Sequence, residues 1–186
     1  MSDRKFALLG LLGPLTGILF IIISITLVPW FSWENNALSD LGHSVESDVA
    51  PIFNFGLLLS GFMTILYSIT IFRKHTKYSS YFLVFVGLSL QLVGTFDEIY
   101  GWLHTQVSIL FFVALGFASI AYFIEKRSII ALLAFVLSSI AWITYGLKIY
   151  STGIAVPEMV CAIAIATWVM LSAYRIYFNK QATHKN

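Results

Sequence analysis

Residues 6–28 read FALLGLLGPLTGILFIIISITLV, without one Asp, Glu, Lys, Arg or His. The hydrocarbon core of a bilayer takes about 20 residues of α-helix to cross, so this run is long enough to span it. Arg4 and Lys5 precede it, as the charged start of a signal peptide would. It is longer than an ordinary h-region, however, and no small-x-small cleavage site follows, so it is expected to remain as span 1. Five further apolar runs follow at about 51–72, 78–96, 102–124, 128–147 and 154–174. Ser47 or Asp48 is the expected N-cap of span 2, with Pro51 in or near its first turn, where a missing N–H costs little. The whole chain agrees with this reading: of 186 residues, 59% are hydrophobic, 16% aromatic and only 11% charged. Too few charges remain to keep a soluble domain dispersed in water. The expected fold class is all-α, a polytopic membrane protein with a six-transmembrane-helix bundle, as a single domain over residues 1–186. Cys161, the single cysteine, lies within an apolar run and is expected to pack as a small apolar residue.

Charge sets the orientation, because short cytoplasmic loops collect Lys and Arg. With the N-terminus inside, Arg4, Lys5, Arg73, Lys74, Lys77, Lys126, Arg127, Arg175, Lys180 and Lys185 all face the cytoplasm. Of the 11 basic residues only Lys148 falls outside. The acids run the other way: Glu34, Asp40, Glu46, Asp48, Asp97, Glu98 and Glu158 lie outside, and only Asp3 and Glu125 inside. Both termini are therefore expected in the cytoplasm and the chain in the cell membrane. Trp30, Trp33, Tyr100, Trp102 and Tyr150 mark the outer interface, and Tyr78, Tyr122, Tyr174 and Tyr177 the inner one. Small residues at Gly13 and Gly17, and at Ala162 and Ala166, are expected to let helices approach closely.

No ionisable side chain lies at the centre of any span, and Gln91 is the most polar group at depth, an expected interhelical hydrogen bond. That argues against a proton relay or ion path. Polar groups gather instead at the outer helix ends. Asn54 opens span 2, Asp97 and Glu98 close span 3, His104 is in the first turn of span 4, and Glu158 is in the first turn of span 6. Above them runs the outer loop 29–50, whose residues 30–44 read WFSWENNALSDLGHS. So many Trp, Leu and Phe residues predict a lid folded back onto the bundle mouth. Asp40 and His43 are spaced to share a helical turn, and Asp97 and His104 flank a tight turn. Asp40, Asp97, His43 and His104 thus form a donor set for a divalent metal such as zinc, with an open position for an acidified water. Asp40, Asp97 and His104 are equally candidates for a metal-free acid and base pair. A third arrangement has Asp40 capping a short helix, His43 in solvent and Asp97 paired with Lys148.

Three stretches carry a family resemblance: Asn36-Ala37-Leu38-Ser39-Asp40-Leu41-Gly42, Ile52-Phe53-Asn54 with Gly56 and Ser60-Gly61, and Val93-Gly94 with Phe96 ahead of His104. They resemble prokaryotic membrane proteins of the domain of unknown function 998 family over nearly the whole chain. More distantly the chain is similar to the six-span Frag1/DRAM/Sfk1 group, whose members are linked to lipid handling and membrane organisation. Many family members carry a Pro and an acid after the Phe of the span 3/4 turn, where this chain has Asp97 and Glu98 directly. The resemblance implies the fold and singles out Asn36, Ser39, Asp40, Asn54 and His104, but implies no established reaction.

Two functions fit these residues. One is a lipid-binding, scaffold or accessory membrane subunit with a polar pocket at its outer mouth, formed by Asn36, Ser39, Asn54, Glu98 and Glu158. The other is an intramembrane hydrolase, metal-dependent or metal-free, acting on a lipid or amphiphile at the outer leaflet. Its layout resembles the Asp and His clusters of the alkaline ceramidase group without their full motif. The partners implied are the lipid bilayer, a lipid ligand or another membrane protein, and no nucleic acid.

Overall fold

The computed structural model describes residues 3–149 and 151–178, so Tyr150, Lys180 and Lys185 lie outside the described residues. Among the described residues all regular structure is helical. Six long helices follow in order: α1 (Ala7–Leu27), α2 (Ala50–Thr70), α3 (Tyr78–Thr95), α4 (Trp102–Lys126), α5 (Ile129–Gly146) and α6 (Ala155–Phe178). Each is long and apolar enough to cross a membrane, which makes the chain a multi-pass membrane protein. Most of the links are only a few residues long, so consecutive helices run antiparallel. Each helix packs on the next, and α6 closes the ring against α1. One end of the bundle carries the acidic loop 28–49, and the other carries the basic turns at Arg73 and Lys126.

Backbone contact holds α2 against α3. A Cβ added to Gly61 would stand 2.6 Å from the Gly87 carbonyl oxygen, and one on Gly87 would stand 2.7 Å from that of Gly61. No side chain fits there, so the helices meet at a distance only glycine permits. The Gly13 and Gly17 stripe of α1 approaches α2 in the same way: Ser60 Oγ donates to the Gly13 carbonyl at 2.7 Å, and a Cβ on Gly17 would lie 2.9 Å from Ser60 Oγ. Gln91 forms a long interhelical hydrogen bond, its Nε2 reaching the Leu58 carbonyl at 3.4 Å. Ala162 and Ala166 behave differently, since both face a cavity.

The basic end is filled by aromatic rings. Trp168 stacks on Tyr122 at 4.8 Å between centroids, Tyr122 meets Phe72 at 5.6 Å, and Phe72 stacks on Tyr67 at 5.1 Å. Their polar atoms are satisfied: Trp168 Nε1 donates to Ser119 Oγ (3.0 Å), and Tyr67 shares a hydrogen bond with Ser172 (2.9 Å). Tyr122 therefore corrects the reading of it as an interface marker. It is buried because Trp168 offers it a ring face, whereas Tyr78 and Tyr174 are exposed as expected.

At the acidic end, loop 28–49 folds down as a roof. Leu38 and Leu41 enter the core, while Trp30 and Trp33 stay exposed. Polar ties pin it: Gly153 N–H donates to the Trp33 carbonyl (2.8 Å), Ala155 N–H to the Asn36 carbonyl (3.0 Å), and Asn54 Nδ2 to the Gly42 carbonyl (2.8 Å). Ser47 does not cap α2, whose N-cap is Val49 without a side-chain bond. Its hydroxyl donates instead to the Leu41 carbonyl at 2.8 Å, closing the loop on itself.

Candidate functional site

Beneath the roof lies a cavity of about 130 Å³, walled by α1, α2, α3, α4 and α6 and by Leu38 and Ser39 of the loop. It extends along α6 from Glu158 to Val169 and along α2 from Phe53 to Thr64, about 16 Å at 1.5 Å per residue. Such a volume over such a length is a narrow channel rather than a round hole. Its walls are mainly Ile, Leu, Phe and Val. Ala162 and Ala166 leave the space on the α6 side, so these small residues make room where close helix contact was expected.

Among the described residues Glu158 is the one ionisable side chain on this wall. Its Oε2 accepts the Leu38 N–H at 2.7 Å, and among the described residues no donor meets Oε1. The charges of Asp40 and Glu98 act on Glu158, so all three carboxyls belong to the roofed end of the channel. The charged groups that act on Glu98 and Glu158 are carboxyls and His104, with no Lys or Arg among them. Glu98, on the short 3₁₀ turn Glu98–Tyr100, sits against the Ser39 hydroxyl and the Asp40 carboxyl. Its Oε2 is buried without a hydrogen-bond partner. Burial pushes the Glu98 carboxyl above the usual carboxylate range; the Ser39 hydroxyl opposes this and the negative charge of Asp40 adds to it. Asp40 is anchored within the loop, its Oδ2 accepting Asn36 Nδ2 (2.7 Å) and Ala37 N–H (3.0 Å), and Asn36 Oδ1 in turn takes Ser32 N–H (2.9 Å).

His104 is 6% exposed and fixed at both nitrogens. Nδ1 lies 2.8 Å from the Phe96 carbonyl, which only accepts, so Nδ1 carries the proton. Nε2 faces Ser108 Oγ at 3.2 Å, and Ser108 lines the channel. Asp97 caps the 3₁₀ turn through Oδ1 and the Ile99 N–H (3.1 Å). It forms no ion pair with Lys148, because its carboxylate is turned to its own backbone. His43 likewise turns inward on its own loop, with Nδ1 accepting the Val45 (3.4 Å) and Glu46 (3.2 Å) amides. Among the described residues no three His, Cys, Asp or Glu side chains are grouped to hold a metal. Of the four metal candidates, His43 and Asp97 serve local turns, while Asp40 and His104 both act electrostatically on Glu98. Asn54 holds the loop through Gly42 and does not line the channel. Ser108 escaped the sequence reading; its spacing of one helical turn after His104 was the available signal.

Six membrane helices, five of them around a roofed apolar channel, define a multi-pass membrane protein rather than a water-soluble fold. The chain belongs to the family described as Protein of unknown function (DUF998), which it matches over residues 11–175. No curated protein and no solved structure matches it, and the wider likeness to the Frag1/DRAM/Sfk1 group finds no support among these comparisons.

Proposed function

We propose that this protein is a lipid-binding accessory subunit of the cell membrane, oriented with its acidic end outward and both termini in the cytoplasm. Its channel takes the apolar chain of an amphiphile, and the amphiphile's polar end meets Glu158, Glu98 and Asp40. The observation that carries this reading is the channel itself. A dry apolar cavity of about 150 Å³ holds a benzene ring, and a similar volume drawn out along two helices suits an extended alkyl chain. The outward orientation rests on the positive-inside distribution of Lys and Arg.

Filling the channel tests the reading. Ala162→Leu and Ala166→Leu should reduce the amphiphile that co-purifies with the protein, measured by mass spectrometry of an organic extract, while the detergent-solubilised variants keep their Tm. Unchanged amphiphile content in both variants would sink the proposal.

The Glu98 and Asp40 pair favours a second reading. Glu98, whose carboxyl burial pushes above the usual carboxylate range, lies against Asp40, and two adjacent carboxyls can serve a hydrolase as acid and base. Loss of a bound amphiphile's ester without loss of binding in wild type, abolished by Asp40→Asn, would move the reading to an enzyme.

A further inference from the structure

The opposite end of the bundle holds a second pocket that the channel does not involve. About 450 Å³ in volume, it lies between the α2/α3 turn and the end of α4, with Arg73, Lys74, Lys77 and Lys126 around it. Among the described residues that line it, one carboxylate, that of Glu125, opposes these four cations. Its oxygens are already occupied by the backbone N–H groups of Lys77, Tyr78 and Ser79, at 2.8 Å each, and by the Ser79 hydroxyl. The pocket is thus strongly positive, and its acid is held by backbone amides. Arg73 is set in place by Tyr81: its Nη2 donates to the Tyr81 hydroxyl oxygen at 3.3 Å, and its guanidinium lies 5.4 Å from the ring centroid. That leaves the Tyr81 O–H as a donor beside a guanidinium, two groups suited to phosphate oxygens.

Tyr81 also opens an apolar stripe. Tyr81, Phe85, Leu88 and Leu92 recur at helical spacing along α3 and are 49%, 60%, 45% and 37% exposed. In a membrane helix that exposed face meets acyl chains. A phosphate in the pocket would therefore carry its chains directly onto this stripe, which favours a lipid headgroup over a free anion.

We propose that this pocket is a binding site for the phosphate headgroup of an anionic phospholipid, with an acyl chain lying along the Tyr81–Leu92 face of α3. Basic pockets between membrane helices select such headgroups. The site does not depend on the channel, so either assignment can fail alone.

Native mass spectrometry of the detergent-purified full chain tests it, with phosphatidylglycerol and phosphatidylcholine as probes. Wild type should retain phosphatidylglycerol preferentially. Each cation near an anionic lipid contributes about fivefold, so Arg73→Gln with Lys126→Gln should cut that preference roughly 25-fold. Arg175→Gln removes one charge from the last turn of α6, outside the pocket, and should leave the preference intact. A matching Tm for the double variant would show that it is folded. Equal retention of the two lipids by wild type, or survival of the preference in the folded double variant, would overturn the proposal. Displacement of phosphatidylglycerol by inorganic phosphate would overturn the lipid assignment in favour of a soluble anion site.

Discussion

Glu125 and Glu98 are the same side chain at opposite ends of one bundle, and their surroundings differ in kind. Glu125, at the end of α4, caps the N-terminus of α3 across space: the amides of Lys77, Tyr78 and Ser79 point at it, and their dipoles favour its charge. Glu98 has burial, a neighbouring carboxyl and an oxygen without a partner. The packing follows the same division. The basic end is a column of stacked rings with satisfied polar atoms, and the acidic end is hollow. Stability alone gives no reason to leave the Glu98 Oε2 unsatisfied next to an open core. The difference is what the proposed function of the channel rests on.

The largest expected effect lies in that core. Trp168→Ala removes the ring stacked on Tyr122 and the hydrogen bond it donates to Ser119 Oγ. Deleting a buried aromatic costs about 3–5 kcal/mol, visible as a large fall in Tm or a failure to purify in detergent. Loss of less than about 1 kcal/mol, within the range of a surface change, would mean that the aromatic column is not the stabilising element and would break the comparison at its base.

Next comes the cap. Glu125→Ala leaves three backbone N–H groups at the start of α3 without their shared acceptor. Hydrogen bonds to a charged group contribute about 1.5–3 kcal/mol each when buried, and part-exposure at this helix end reduces the total to about 2 kcal/mol, the upper range for a cap. Glu125→Gln keeps one acceptor oxygen and should cost about half as much. Chemical unfolding in detergent measures both. Equal, negligible losses would show that water replaces the carboxylate.

The spans were legible because a membrane helix needs only a local run of apolar residues and because charge gathers at its ends. The lid was legible for a related reason: Leu38 and Leu41 in a loop have to be buried somewhere, and the bundle mouth is the nearest place. What escaped the sequence reading depends on partners distant in the chain. Glu125 looked like part of a basic turn, since its partners are backbone amides, which carry no residue signature. Tyr122 looked like a headgroup anchor because only the fold reveals Trp168 beside it. Ala162 and Ala166 read as packing surfaces because a sequence records atoms and not the space between them. In the site, depth alone brought Glu98, Glu158 and Asp40 to one layer, but depth gives no direction. His43 shares that layer and turns to its own backbone, an option open to any His that begins a tight turn.

The smallest effect is the most discriminating, because its sign is opposite to that of the cap. Burial and the Asp40 charge raise the Glu98 carboxyl in the folded protein above its ordinary value. Below that ordinary value Glu98 is protonated in both folded and unfolded chains and contributes nothing to pH dependence. As pH rises past it, the unfolded chain ionises first while the folded one still holds its proton. Wild-type stability therefore declines through the window between the ordinary and the raised value, and the deficit persists above it. Gln at this position has the same shape and no proton to lose. Glu98→Gln should accordingly match wild type at acidic pH and exceed it near neutrality, by an amount below the roughly 1–3 kcal/mol cost of a fully unsatisfied buried group. Glu125→Gln should be destabilising under the same neutral conditions. Tm measured for both variants across the acidic to neutral range reads the difference, and carboxyls that do not interact with Glu98 cancel between wild type and variant. If Glu98→Gln loses stability near neutrality, the ionised carboxylate is held by donors as firmly as Glu125 is, and the two ends of the bundle do not differ in the way argued above.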